Sequence, residues 1–218
     1  KSKIIGTLEA LCGTDNICGV QPSKFDSPFQ RAHMQYKLAN LVTELKQGEV
    51  LADAELKAIT SGEAATVEHK NKDPFVMRPY ATCWFGTNHL PHTRDFSEAF
   101  FRRAVVLDFN RVFGEQEKDS NLLDKLTAEL SGILNLCLDA YAAALEFGFT
   151  DPSSSKVAKQ KWRLETDQVQ QFVSESCLMG PSYTIKSSLL YSGYKSWAFE
   201  NGIKKTLGSR NFVERLER

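Results

Sequence analysis

Apolar positions in the first half of the chain alternate between two rhythms. Ile4, Ile5, Leu8 and Leu11 recur at helical spacing, so residues 3–12 read as a helix that Gly13 ends. Residues 38–45 (LANLVTEL) form a short apolar run closing on a carboxylate, the pattern of a buried parallel strand. Residues 82–87 (TCWFGT), stopped by Asn88 and Pro91, and residues 104–109 (AVVLDF) are two further strands of that kind. Between them, residues 29–37 and 53–59 read as helices, the second capped by Asp53 and left through Ser61-Gly62. Residues 65–69 and 75–77 are expected to pair as strands around the loop 70–74.

From residue 120 onward the rhythm is helical throughout. Residues 120–147 form one long amphipathic helix or two, capped by Asp119 or Ser120 and ended by Gly148. Asp139 and Glu146 interrupt this apolar stretch, so it is expected to be a core helix and not a membrane span. The Asp-Pro-Ser-Ser-Ser run at 151–155 is the best domain boundary, followed by helices near 157–177, 185–201 and 209–217. Strands alternating with helices imply an α/β domain over 1–150, a three-layer parallel sheet with helices on both faces. The remainder, 151–218, is an all-helical module compatible with a helix-turn-helix or winged helix.

Composition is that of an ordinary globular protein, with 218 residues, 42% hydrophobic and 25% charged. Twenty-seven basic residues balance 27 acidic ones, so any basic surface for nucleic acid is local. From Asp151 onward, basic residues exceed acidic ones by about four. The five cysteines are scattered, without a CxxC pair or zinc spacing, and suit reduced thiols in a cytoplasmic protein. No signal peptide is evident, and a start on Lys-Ser-Lys without Met reads as an internal fragment.

Taken in order, the motifs resemble one family. Lys1-Ser2 is followed by LANLVTEL ending near Glu44, LKAITSGE (56–63), VEHKNKDPFVMRPYA (67–81), FGTNHLP (85–91) and FFRRAVVLDFNRVF (100–113). This series is similar to the superfamily-3, AAA+-like helicase domain of phage and plasmid primase-helicases, related to the poxvirus primase-helicase. The tail (DQVQQFVSESC, then LLYSGYKSWAFENG and a short helix) resembles that family's C-terminal module. The block 56–113 is the specific part.

The resemblance implies a P-loop ATPase whose first strand and Gly-rich loop precede Lys1. It also implies a motor driven by ATP and Mg²⁺, built as a hexameric ring on single-stranded DNA, with a primase half upstream. Lys1 would reach the β/γ-phosphates and the Ser2 hydroxyl would ligate Mg²⁺. Glu44 would be the acid that holds Mg²⁺ and orients the attacking water, where the usual second acid is Thr43. The competing reading makes Glu44 a strand-end residue paired with Lys46. Asn88 would sense the γ-phosphate, or else be a turn residue before Pro91. Arg103 or Arg102 would reach a neighbouring subunit's nucleotide as an arginine finger; alternatively both meet acids such as Asp95 and Glu98. His69, Lys70 and Lys72, with Asn71, would tip a hairpin that contacts DNA, or form a solvated turn. Lys204, Lys205, Arg210 and Arg215 could bind duplex phosphates at an origin, or line a plain surface helix. Leu190, Tyr194 and Trp197 share a helical face and read as core. The alternative for the whole chain is a non-catalytic ATPase-like scaffold, or a nucleotide switch that binds DNA through its C-terminal module.

Overall fold

The computed structural model describes residues 1–203 and 206–217. The chain divides into two compact units, Lys1–Ala158 and Lys159–Arg218.

The first unit is built on three parallel strands, β1 (Ile17–Cys18), β2 (Ala39–Val42) and β5 (Thr82–Phe85), in the order β1-β2-β5. The chain is therefore α/β with a small parallel sheet. Ala39 and Asn40 pair with Ile17 and Cys18 on one side, and β2 pairs with β5 from Ala39↔Thr82 to Val42↔Phe85 on the other. All four β2 residues are buried, as a strand covered on both faces requires. Alternation sends Ala39 and Leu41 to one face, where they pack with Ile5, Leu8 and Cys12 of helix α1 (Ser2–Cys12). Burying an Ile or Leu side chain in this way contributes about 1.5–3 kcal/mol. On the other face Cys18, Cys83 and Phe85 pack against a core of Val20, Phe25, Ala32, Met34 and Ile59.

Asn40 is fully buried within this apolar setting. It is satisfied by a reciprocal pair with Val20: the Val20 N–H donates to Oδ1 at 2.7 Å, and Nδ2 donates to the Val20 carbonyl at 2.9 Å. Burial pushes the neighbouring thiols up, Cys18 to about 11 and Cys83 to about 12, so both stay protonated at neutral pH.

Helix α2 (Pro28–Ala32) starts on Ser27, whose Oγ accepts from the Gln30 N–H. It is shorter than the 29–37 pattern suggests, because residues 33–36 continue as turns and Tyr36 adopts φ 60°. Helix α3 (Asp53–Thr60) has Ala52 at its cap position and not Asp53. The Asp53 carboxylate instead accepts from Thr93 Oγ1 at 2.7 Å and the Arg94 N–H at 2.8 Å. Strands β3 (Ala65–Val67) and β4 (Phe75–Met77) pair antiparallel, Ala65 with Met77 and Val67 with Phe75. Helix α4 (Glu98–Phe101) buries Phe100 and Phe101.

Residues 104–109 form no strand. Val105, Leu107 and Phe109 are exposed, and the Val106 N–H donates to Ser155 Oγ at 3.1 Å instead of to a neighbouring strand. An alternating apolar run has strand propensity, but a strand also needs a paired edge, and here none is provided. The long helical stretch divides into α5 (Leu122–Ala128) and α6 (Leu130–Phe147), and Gly148 ends α6 at φ 81°. Asn121 occupies the α5 cap position, and Asp119 supports it by accepting the Asn121 N–H at 2.9 Å. The expectation of a core helix at α6 fails: no residue of it is buried, and Leu136, Tyr141 and Leu145 are exposed. With 18 residues, α6 is long and apolar enough to cross a membrane by length and composition.

Helix α7 (Ser153–Thr166) begins inside the run expected to be a linker, and the division between the two units falls within it. In the second unit Asp167 breaks the 157–177 pattern into two helices. Its carboxylate accepts from the Val169 and Gln170 N–H groups and starts α8 (Gln168–Ser176). Helices α9 (Ser187–Glu200) and α10 (Ser209–Leu216) close around the first turns of α8. Phe172, Tyr194, Trp197 and Phe212 form that core, with the Tyr194 and Phe212 rings stacked at 4.6 Å. Tyr194 and Trp197 are buried, as the helical spacing predicts.

Candidate functional site at the carboxyl ends of the parallel strands

β2 and β5 run side by side and end together, so the residues just past them emerge at one edge of the sheet. Two backbone hydrogen bonds extend the pairing beyond the strands. The Gly86 N–H donates to the Val42 carbonyl at 2.7 Å, and the Leu45 N–H donates to the Gly86 carbonyl at 2.9 Å. Buried Leu45 anchors the chain after Glu44, leaving Glu44 exposed at the mouth. The chains approach so closely here that a Cβ on Gly86 would lie 2.3 Å from the Thr43 carbonyl oxygen. Only glycine fits. Sequence reasoning misses this requirement, although a glycine ending a strand pattern is a known sign of close backbone approach.

Lys1 arrives from a third direction. Ile5 seats α1 on Ala39 and Leu41, and this packing places the start of α1 over the same edge. The Lys1 ammonium donates to the Thr87 carbonyl at 2.6 Å and to Asn88 Oδ1. Asn88 Nδ2 in turn donates to Glu44 Oε1 at 3.4 Å. An ammonium, a carboxamide and a carboxylate, spread over 87 positions in sequence, thus form one chain of contacts. Beside them lies an open depression of about 440 Å³ lined by Glu44, Leu45, Lys46, Gln47, Asn88 and His89. Ser2 is the first helical residue of α1 and is exposed.

Arg102 and Arg103 do not line this depression. Arg103 donates to the Ala99 carbonyl within its own turn and, through Nη2, to Ser61 Oγ at 3.0 Å, tying α4 to the end of α3. Arg102 caps the carboxyl end of α4 and is exposed. Asp95, expected as an arginine partner, pairs with Lys57 Nζ at 2.5 Å and accepts the Ser97 N–H at 2.9 Å. Burial opposes its charge, but the Lys57 hydrogen bond and the Ser97 donors outweigh burial and hold its carboxyl below the ordinary value.

The hairpin residues separate into two groups. Lys70, Asn71 and Lys72 are exposed at the turn, where Asn71 takes φ 61° and the Lys72 N–H donates to the His69 carbonyl. His69 turns back instead, stacked on Phe75 at 5.4 Å. In the C-terminal unit Arg210 is exposed and pairs with Glu214 at 3.0 Å. Arg215 faces the Asp167 cap at 3.5 Å with its side chain only 19% exposed, so it does not share the open surface of Arg210. Lys204 and Lys205 lie outside the described residues.

Two family matches divide the chain. Residues 1–103 are similar to a family of unknown function (DUF5906), and residues 164–218 are similar to the poxvirus D5 protein-like family. The second match spans α8, α9 and α10, the helices that close the second core.

Proposed function

We propose that this chain is the ATP-driven DNA-unwinding motor of a phage, prophage or plasmid replication protein of the primase-helicase type. The observation that carries the proposal is the convergence of Lys1, Asn88 and Glu44 at the carboxyl ends of two adjacent parallel strands. Open α/β sheets bind ligands at that edge. The match of residues 164–218 to the poxvirus D5 protein-like family supports a place in replication.

The donor set fits a triphosphate with its metal: one ammonium for phosphate oxygens, one carboxylate for a hard cation, and an amide that can both donate and accept. When bound, Mg²⁺–ATP supplies the cleavable anhydride and the charge that neutralises its phosphates. The chain's own residues divide the remaining work. Lys1 exchanges its contacts with Thr87 and Asn88 for β/γ-phosphate oxygens. Ser2, through its hydroxyl, and Glu44, through its carboxylate, would hold the Mg²⁺. Glu44 orients the attacking water, and Asn88, already hydrogen-bonded to Glu44, links that carboxylate to the γ-phosphate position. Arg103 or Arg102 would complete a neighbouring subunit's site in a hexameric ring, Arg103 after leaving Ser61. Lys70 and Lys72 would contact the phosphates of single-stranded DNA, and Arg210, with Lys204, Lys205 and Arg215, would contact duplex DNA at an origin. P-loop NTPase architecture over residues 1–150, a winged-helix-like module over 151–218 and a cytoplasmic location belong to the same proposal.

Substituting Glu44→Gln keeps the shape and removes the charge. In the full-length protein, DNA-stimulated ATP hydrolysis is expected to fall about 100-fold or more, with nucleotide still bound. Hydrolysis at the unaltered rate would remove Glu44 from the mechanism.

A further inference from the structure

A second depression, of about 400 Å³, lies between α2 and the loop end of the β3–β4 hairpin. Its lining is Phe29, His33, Glu68, His69 and Lys70. Three rings are arranged in series: His33 meets His69 edge-on at 6.4 Å, and His69 stacks on Phe75 at 5.4 Å. Phe29 stands on the same side, 46% exposed, on the helix that packs against β3. The sequence pattern places His69 among the cations of the turn and does not connect it with Phe29 or His33.

The chemistry of the walls selects the ligand. Aromatic faces left open to water favour a flat, polarisable partner. Glu68 repels a phosphate inside the depression but can accept a hydrogen bond from an exocyclic amino group. Lys70 stands at the rim, where a phosphate attached to such a ring would lie. A depression of this size admits a single heterocycle.

We propose that this depression is a stacking site for one nucleobase of single-stranded DNA, selective for bases that carry an exocyclic amino group (adenine, cytosine or guanine) over thymine. Phe29 and His33 supply the platform with His69, Glu68 reads the amino group, and Lys70 holds the adjoining phosphate. The site rests on the proposed contact of the hairpin with single-stranded DNA, and it adds to that contact a base-reading element from a different part of the chain.

The test is fluorescence anisotropy with labelled 12-mers of dA, of dT and of abasic phosphodiester backbone. Wild-type protein is expected to bind dA at least about fivefold more tightly than the abasic strand. Phe29→Ala and His33→Ala should each remove most of that difference without changing the salt dependence, whereas Phe29→Trp should retain it. Lys70→Ala should weaken all three strands and flatten the salt dependence, by the loss of about one phosphate contact. Glu68→Gln should reduce the preference for dA over dT. Equal binding of dA and abasic strands by wild-type protein, a comparison that needs no variant, overturns the stacking site even if Lys70→Ala still shows the hairpin contact. If neither Lys70→Ala nor Phe29→Ala changes binding, the hairpin reading falls together with it.

Discussion

At the scale of single residues, chemistry at the strand ends depends on a glycine that carries no chemistry. Gly86 lets β5 and the segment after β2 approach until its Cα faces the Thr43 carbonyl, and that approach brings Asn88 within reach of both Glu44 and Lys1. Gly86→Ala is expected to push the two segments apart, costing about 1–3 kcal/mol of stability. The measurement is a urea unfolding curve, together with nucleotide affinity, which should fall as Asn88 is displaced. An unchanged midpoint with unchanged affinity would mean that the approach is looser in solution. Glu44 and Asn88 are legible in the sequence because each is a polar residue at the end of a short apolar run. Gly86 is visible there only as part of a motif, since the clash that a Cβ would meet involves Thr43, far back along the chain.

Between elements, small polar networks hold what the sheet does not. Lys57 on α3, Asp95 in the segment between β5 and α4 and the Ser97 N–H that opens α4 form one such network, and Asp53 with Thr93 forms another beside it. Because the folded Asp95 carboxyl sits below its ordinary value, the unfolded chain takes up that proton more readily. Its contribution to stability is therefore complete above the unfolded value, about 3.9, and is lost as pH falls through the lower folded value. Asp95→Asn is expected to cost about 1–3 kcal/mol at pH 7 and to flatten the acid side of the stability curve. Urea titrations of both proteins from pH 7 to pH 3 test this, and parallel curves would count against it. The same scale explains the missing strand at 104–109. Its alternation is clear, but propensity records a side-chain pattern, whereas a strand exists only where another backbone offers donors and acceptors. Helix α6 illustrates the complementary point, since its apolar composition suggests burial that its neighbours in the fold do not supply.

Over the whole molecule, two compact units carry separate cores. One lies around the parallel sheet and the other around Phe172, Tyr194 and Phe212. Phe212 is fully buried and touches the Phe172, Tyr191 and Tyr194 rings. Phe212→Ala should therefore cost about 3–5 kcal/mol in that core. Hydrogen exchange is expected to show protection lost in α8, α9 and α10 and kept in β2 and β5. Equal loss in both would show that the units unfold as one.

The amino-acid sequence by itself determined the alternation of strands and helices as far as residue 85, the all-helical end and the polar residues at the tips of the apolar runs. All of these follow from local periodicity and side-chain chemistry. Tertiary structure alone decided that Lys1 meets Asn88, that Asp53 leaves its helix cap for Thr93, and that His69 turns from the hairpin tip towards Phe75 and His33. Each of those choices is a competition between partners far apart in the chain, and only the folded geometry says which of them lies within reach.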